Sequence, residues 1–266
     1  MHNLPGPECY TVLSQQEQEA LCKEILAEVA SGQFKPAGEP SRAHWDQVWA
    51  NQWSAIPYYI RPATVLRVNG RFVRPKDPGL ETAWYLSFRD RLLTRYFKEA
   101  PAIYEFGCGN GWNLEAARDM YRYQKAYMGL DWSPSAIKRL PSAFQGRVFD
   151  FFRPDYSLKL APGAGVWTVG ALEQTGTKWE FFLQYLLHNK PAVCVHVEPF
   201  VEWYEPTNPV DQTAIQYHLA RNYWTGFRAR MLDLEAEGKV EVLEQQRSYF
   251  GSKYIEGYSL FVWRPL

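Results

Sequence analysis

Apolar and polar positions along the chain fall into two regimes. From Pro101 onward the rhythm is regular. Short buried-strand patterns at Ile103–Phe106, Tyr127–Leu130, Arg147–Phe149, Val166–Val169 and Ala192–Val197 alternate with stretches of helical spacing. Trp112–Tyr121 reads as the first of these helices. Ser133-Pro134 opens another, with Ser as N-cap and Pro at the first helical position. TKWEFFLQYLLHNK reads as a helix, and TAIQYHLARNYWTGFRARMLDLEAEG as one long helix or two. KVEVLEQQRSYF and GYSLFVWRP alternate with period two and read as closing strands. Strands alternating with helices predict an α/β chain with a doubly wound, mostly parallel, seven-stranded sheet. The closing strands lie close together in sequence, so one is expected to run antiparallel at an edge.

The first eighty residues are less regular. LSQQEQEALCKEILAEVASG has helical spacing, with Ser14 to cap it, Glu17 three residues on, and Gly32 to end it. Its apolar stripe of Leu21, Ile25, Leu26 and Val29 reads as a docking helix, a pocket lid being the competing reading. HWDQVWANQWSAIPYYIRP is dense in both aromatic and polar residues, which suits the wall or cap of a pocket. TVLRVNGRFVRPKDPG reads as a hairpin turning at Asn69-Gly70 in type I′ geometry. LETAWYLSFRDRLLTRYFKEA then predicts a helix leading into the regular part. The expected organisation is a helical and hairpin cap over residues 1–80, packed on an α/β domain over 81–266.

Composition narrows the partners. Twenty-nine basic residues balance twenty-nine acidic ones, for a formal net charge of zero. Neither nucleic acid nor an anionic membrane is expected to bind without a positive field. The apolar runs are far shorter than a membrane span, and MHNLPGPECY lacks the pattern of a signal peptide. Cys9, Cys22, Cys108 and Cys194 form no C-x-x-C pair, and no histidine cluster has metal-ligand spacing. A cytoplasmic protein with no metal site is expected, with a homodimer left open. Eleven Trp in a chain that is 16% aromatic fit a large core and an aromatic-lined pocket.

The chemistry begins at PAIYEFGCGNGWNL, where a strand pattern meets three alternate glycines, Gly107, Gly109 and Gly111, and then a helix. The dinucleotide fingerprint G-x-G-x-x-G needs its third glycine one position later, where this chain has Trp112. That bulk would crowd the helix start a pyrophosphate needs. No Gly-Lys-Ser/Thr follows, so the loop is no Walker A either.

YEFGCGNGWNL resembles motif I of the class I S-adenosylmethionine-dependent methyltransferases, with an acid, Glu105, two places before the first glycine. GLDWSPSA resembles the family's second motif and VFDFF its third, over a matched region of about residues 81–266. The resemblance implies a Rossmann-like methyltransferase fold and S-adenosylmethionine as the cofactor. It places Glu105, Gly107, Cys108, Gly109 and Gly111 at the methionine side of the ligand. It implies that Asp131, with Trp132 beside it, chelates the ribose hydroxyls. Asp150 would accept from the adenine amino group, and Phe151 would flank the ring. Cys108 itself reads as a small spacer, since no base adjoins it.

Ligands of open α/β sheets sit beyond the carboxyl ends of the strands. This brings up Glu173 and Gln174 in GALEQTG after the fourth strand, and His196, Glu198, Glu202 and Tyr204 in HVEPFVEWYEP at the end of the fifth. His196 and Glu198 share one side of a strand by period two, so the carboxylate could hold the imidazole ready as a base. Glu173, His196 and Glu198 are the catalytic candidates. The competing readings are a satisfied core histidine for His196, a buried carboxylate with a structural partner for Glu198, and a helix cap for Glu173. His218 and Arg221 share a helical face in YHLARNYW, as a clamp or as a simple ion pair. With Trp49, Tyr58, Tyr59 and Tyr204 they form the expected substrate-binding set. The expected activity is methyl transfer to a small-molecule or sugar-like acceptor, to oxygen rather than nitrogen, without metal. The alternatives are non-methyl chemistry, such as cyclisation with release of methylthioadenosine, and a non-catalytic binding module.

Overall fold

A strand of five buried residues, β4 (Ala102–Phe106), lies inside the main sheet of a computed structural model that describes residues 4–51 and 62–266. Ile103 faces one apolar core and Tyr104 and Phe106 the other, so the strand is covered on both sides. Parallel neighbours follow outward: β5 (Ala126–Asp131) and β6 (Gln145–Val148) on one side, β7 (Gly165–Val169) and β8 (Val193–Glu198) on the other. The sheet ends with β11 (Ser259–Pro265) and β9 (Val240–Gln246), giving the order β6-β5-β4-β7-β8-β11-β9.

The antiparallel strand is β11, and it lies between β8 and β9 rather than at the edge expected from sequence. Its alternation explains why. Leu260 and Val262 enter one core while Phe261 and Trp263 enter the other, a two-sided burial that an edge strand with a wet face would not need. The edge goes to β9, whose exposed and half-exposed residues include Glu241, Leu243 and Gln245.

Helices α3 (Leu80–Leu92) and α4 (Trp112–Tyr121) contribute to one core. Helices α6 (Glu180–Asn189) and α8 (Phe227–Ala236) contribute to the other. The helix α5 (Pro134–Arg139) starts at the Ser133 cap, whose Oγ accepts from Ala136 N–H at 3.1 Å. The segment read as one helix or two is two, α7 (Pro209–Ala220) and α8, parted at residues 221–226.

The N-terminal region is tied to the rest by pairing as well as packing. Strands β1 (Tyr10–Val12), β2 (Leu66–Val68) and β3 (Arg71–Pro75) join β10 (Phe250–Ser252) in a second sheet, β1-β3-β2-β10. The hairpin turns at Asn69 and Gly70, both at positive φ as type I′ requires. Because β10 lies in the C-terminal region, this sheet crosses the boundary expected near residue 80. The first helix, α1 (Gln15–Ala30), has the full capping box between Ser14 and Glu17. The next, α2 (Arg42–Asn51), sits over the carboxyl ends of the central strands, where the site is. Among the described residues no helix is long and apolar enough to cross a membrane.

Candidate functional site

The glycine corner follows directly from β4. Gly107 has φ +73°, and a Cβ there would overlap the Ala171 side chain at the end of β7. Gly107 and Cys108 both donate backbone N–H bonds to Leu130 O, at 2.6 and 3.0 Å, which holds the corner against β5. Gly111 caps α4 in the left-handed region, with Leu140 and Phe144 packed where a side chain would go. Gly109 lies under the Trp49 indole of α2.

Beyond this corner a first cavity is lined by Gly107, Asp131, Trp132, Phe151 and Phe152, with Trp45 and Trp49 from α2. Its far wall is Val169, Gly170, Ala171, Gln174 and Thr175. Among the described residues, Asp131 is its one carboxylate. One oxygen accepts from Ser133 N–H at 2.8 Å and the other from Gly109 N–H at 3.0 Å. Each oxygen keeps lone-pair capacity for a further donor. Burial pushes Asp131 up to about 6, against those two amide bonds, which pull it down.

Helix α2 is pinned over this cavity by polar contacts at its start and its middle. Arg42 donates to Asp150 Oδ2 and to Trp132 O, both at 3.1 Å. Asp46 accepts from Ser133 Oγ at 2.6 Å and from Ser135 N–H at 2.9 Å. Asp150 also accepts from Phe152 N–H, at 2.9 Å, so its side chain holds α2 and its own loop and lies outside the cavity lining. Glu105 and Cys108 sit beneath the corner, outside the lining of this cavity. Tyr85 donates to Asn113 Oδ1 and Asn113 donates on to Glu105 Oε1, each at 2.8 Å. Glu105 Oε2 is buried without a partner, and burial pushes the residue up to about 8.

A second cavity, of about 160 Å³, opens behind the first and shares Trp45, Val169, Gly170 and Gln174 with it. Its other walls are Glu81 of α3, Glu173, Pro199, Tyr223, and the stretch Ser252, Ile255, Gly257 and Tyr258 before β11. Tyr258 donates to Glu81 Oε1 at 2.8 Å, and burial pushes Glu81 up to about 7. The loop before β11 is held by Arg247, whose Nε and Nη2 reach Glu256 at 2.7 and 2.8 Å while Nη2 also reaches Asp211 at 2.7 Å.

Of the three catalytic candidates, Glu173 lines the second cavity, and His196 and Glu198 line neither of the two. His196 is a correction: it is fully buried, facing Phe227 of α8. Trp263 Nε1 donates to its Nε2 at 2.9 Å, and its Nδ1 pairs with Thr168 Oγ1 at 2.9 Å. Desolvation holds it down to about 3, so it is neutral, and it lines neither cavity. Glu198 is also buried behind the site. It accepts from the backbone N–H groups of Ala171, Leu172 and Glu173, at 3.1–3.4 Å, and so folds the turn that presents Glu173. Burial and the adjacent Glu173 carboxyl push Glu198 well above the carboxylate range.

The expected substrate set is mostly dispersed. Trp49 lines the first cavity, over the glycine corner. Tyr58 and Tyr59 lie outside the described residues. Tyr204 is buried with its OH accepting from Glu256 N–H at 2.9 Å, which supports the Arg247 cluster. His218 is buried against Trp224 O at 2.7 Å. The helix ends at Ala220, so Arg221 is its C-cap and shares no helical face with Trp224. Arg221 binds Lys35 O and reaches Tyr223 OH at 3.3 Å. Glu81, Tyr223, Tyr258 and Phe152 line the cavities unanticipated, while Trp45 does so from within the stretch read as a pocket wall. For Phe152, the aromatic doublet in VFDFF was a usable signal; the others stand at no motif. Among the described residues, no group of three His, Cys, Asp or Glu side chains could hold a metal ion.

No protein-family model and no curated protein matches the sequence. Solved structures do match in fold. Human N-acetylserotonin methyltransferase in complex with SAM superposes with a TM-score of 0.52 at 13% identity, covering 94% of this chain and 68% of that one. Geranyl diphosphate methyltransferase in complex with GPP and sinefungin gives 0.50 at 13% identity, covering 85% and 98%. LepI in complex with SAM gives 0.47 at 15% identity over 67% of this chain, which spans only 46% of LepI. The chain therefore has the Rossmann-like fold of the class I S-adenosylmethionine-dependent methyltransferases.

Proposed function

We propose that the chain binds S-adenosylmethionine in the first cavity and transfers its methyl group to a small molecule held in the second. The observation that supports this best is that the two cavities meet at the end of β7, sharing Trp45, Val169, Gly170 and Gln174. A ligand in one would face a ligand in the other across a backbone with no intervening side chain at Gly170, where a Cβ would meet nothing within 4 Å.

The residues of the first cavity suit a nucleoside. Its lining is apolar and aromatic apart from a few groups, and Asp131 offers buried acceptor capacity where a diol would donate. Gly107 keeps the corner free of a side chain. Trp132, Phe151 and Phe152 would hold the base, and Thr175 and Gln174 close the far side. When bound, S-adenosylmethionine supplies a methyl group already activated on a sulfonium. The chain's own part is then to align the acceptor, exclude water with α2, and receive a proton where one is released.

Glu173 is the candidate that faces the acceptor cavity, with Glu198 fixing its turn. Glu81 is the second carboxyl at that cavity. The expectation of oxygen over nitrogen leaned on His196, and its burial removes that support. The second cavity favours transfer over cyclisation, because cyclisation needs no acceptor room. Incubation with S-adenosylmethionine and a mixed pool of small metabolites, read by mass spectrometry, tests the proposal. S-adenosylhomocysteine with a product heavier by one methylene is the expected result. Methylthioadenosine formed from the ligand alone would replace it with cyclisation.

A further inference from the structure

The two cavities meet at four residues, Trp45, Val169, Gly170 and Gln174. A group handed from a ligand in one to a ligand in the other passes between them. Three of the four have little to offer a charge. Val169 and Gly170 carry no polar side-chain atom. Gln174 is engaged within the protein: its Nε2 donates to Glu173 Oε1 at 2.7 Å, and its side chain pairs with Tyr223. Glu173 is in turn hydrogen-bonded by Glu198, whose carboxyl burial keeps protonated. The fourth residue brings an indole, the ring whose negative π face attracts cations most strongly. Among the described residues, no Lys, Arg or His lines either cavity to oppose a positive charge.

Helix α2 sets this ring in place. Arg42, three residues before it, donates to Asp150 Oδ2 and Trp132 O, and Asp46, the next residue, accepts from Ser133 Oγ and Ser135 N–H. Trp49, one turn further on, lies over Gly109, so both indoles share the helix face turned to the site. Trp49 lines the first cavity, and Trp45 lines both. Trp45 is half-buried and belongs to neither of the two sheet-flanking cores, so replacing it leaves their packing intact.

We propose that Trp45 is the residue by which this chain tells a sulfonium from a thioether, its ring contacting the charged sulfur centre of S-adenosylmethionine. This rests on the reading of the first cavity as the donor site. The charge is present in the donor and absent from the demethylated product. Trp45 therefore holds the donor more tightly and favours release of the product.

Titration calorimetry on the full chain tests this with three ligands of closely similar shape. They are S-adenosylmethionine, S-adenosylhomocysteine, which is neutral at sulfur, and sinefungin, which carries an ammonium in place of the methylsulfonium. The parent is expected to bind the two cationic ligands about tenfold more tightly than S-adenosylhomocysteine. Trp45→Leu should weaken both of them by about tenfold and S-adenosylhomocysteine by less than about threefold. Trp45→Phe, which keeps a weaker π face, should fall between. Trp49→Leu, which removes packing over the glycine corner, should weaken all three alike. A parent without preference for the cations, or equal weakening of all three ligands in Trp45→Leu, would overturn the proposal and leave the nucleoside site standing. Selective loss of the cations in Trp49→Leu would overturn it too, moving the role to Trp49. Absence of binding by all three would remove the donor-site reading and the proposal with it. If Trp45→Leu does not fold, the ratios in the parent and in Trp45→Phe decide.

Discussion

The two cavities share a wall and are built by opposite means. The first takes its corner, carboxylate and rings from consecutive carboxyl ends of parallel strands: Gly107 after β4, Asp131 and Trp132 at the end of β5, Phe151 and Phe152 after β6. The second collects Glu81, Glu173, Tyr223 and Tyr258 from positions up to 177 residues apart in sequence. Local turns write a binding site into a contiguous motif. Tertiary assembly writes one into loops whose spacing carries no pattern.

That difference predicts how the halves respond to substitution. Asp131→Ala should have the largest effect, removing two acceptor positions for a bound diol and lowering affinity for S-adenosylhomocysteine by more than about a hundredfold. The turn that carries Glu173 should stay folded, with a melting temperature within a few degrees of the parent's. Unchanged affinity for S-adenosylhomocysteine would take Asp131 out of the site.

Glu198→Ala should strike both halves together, because the turn it folds is their common wall. Three buried backbone N–H groups would lose their acceptor, at a cost of about 3–5 kcal/mol, seen as a melting temperature lower by about 10 °C. Glu198→Gln, which keeps one acceptor oxygen, should lose less.

His196→Phe should affect neither half. Its cost is structural, about 2 kcal/mol from the unpaired Trp263 Nε1 and Thr168 Oγ1, while the pH–rate profile keeps its shape. A lost acidic limb in that profile would restore His196 as a base.

The smallest effect should come from Glu105→Gln. Burial holds Glu105 up to about 8 from its ordinary 4.5, so the folded chain keeps a proton that the unfolded chain releases. The stability this contributes is complete below about pH 4.5 and lost as pH rises toward 8. Glutamine mimics the protonated acid, so the variant's melting temperature should gain on the parent's by a few degrees between pH 5 and 8. A pH-independent difference would mean that Glu105 is ionised in the fold.

What the sequence made legible follows the same division. The five parallel strands were placed to within a residue or two, because buried runs between helical stretches have few other solutions. The three glycines, Asp131, Trp132 and Phe151 were legible because their roles are set by neighbours in the chain. Period two put His196 on the correct side of β8, but it does not say that α8 covers that side. The helical face read for His218 and Arg221 is cut short, because the helix stops at Ala220 and Arg221 is its C-cap. The second sheet was missed because β1 and β10 are each three residues long, too short for a periodicity, and are defined only by pairing with β3 and β2.

The central claim is that the glycine corner and Asp131 form a nucleoside site for S-adenosylmethionine and its demethylated product. Titration calorimetry of the full chain with S-adenosylhomocysteine, between pH 5 and 8, tests it most directly. The account predicts one saturable site per chain whose affinity falls as pH drops below about 6, where Asp131 takes up a proton. No heat with that ligand, together with clear saturation by a nicotinamide or flavin dinucleotide, would contradict it.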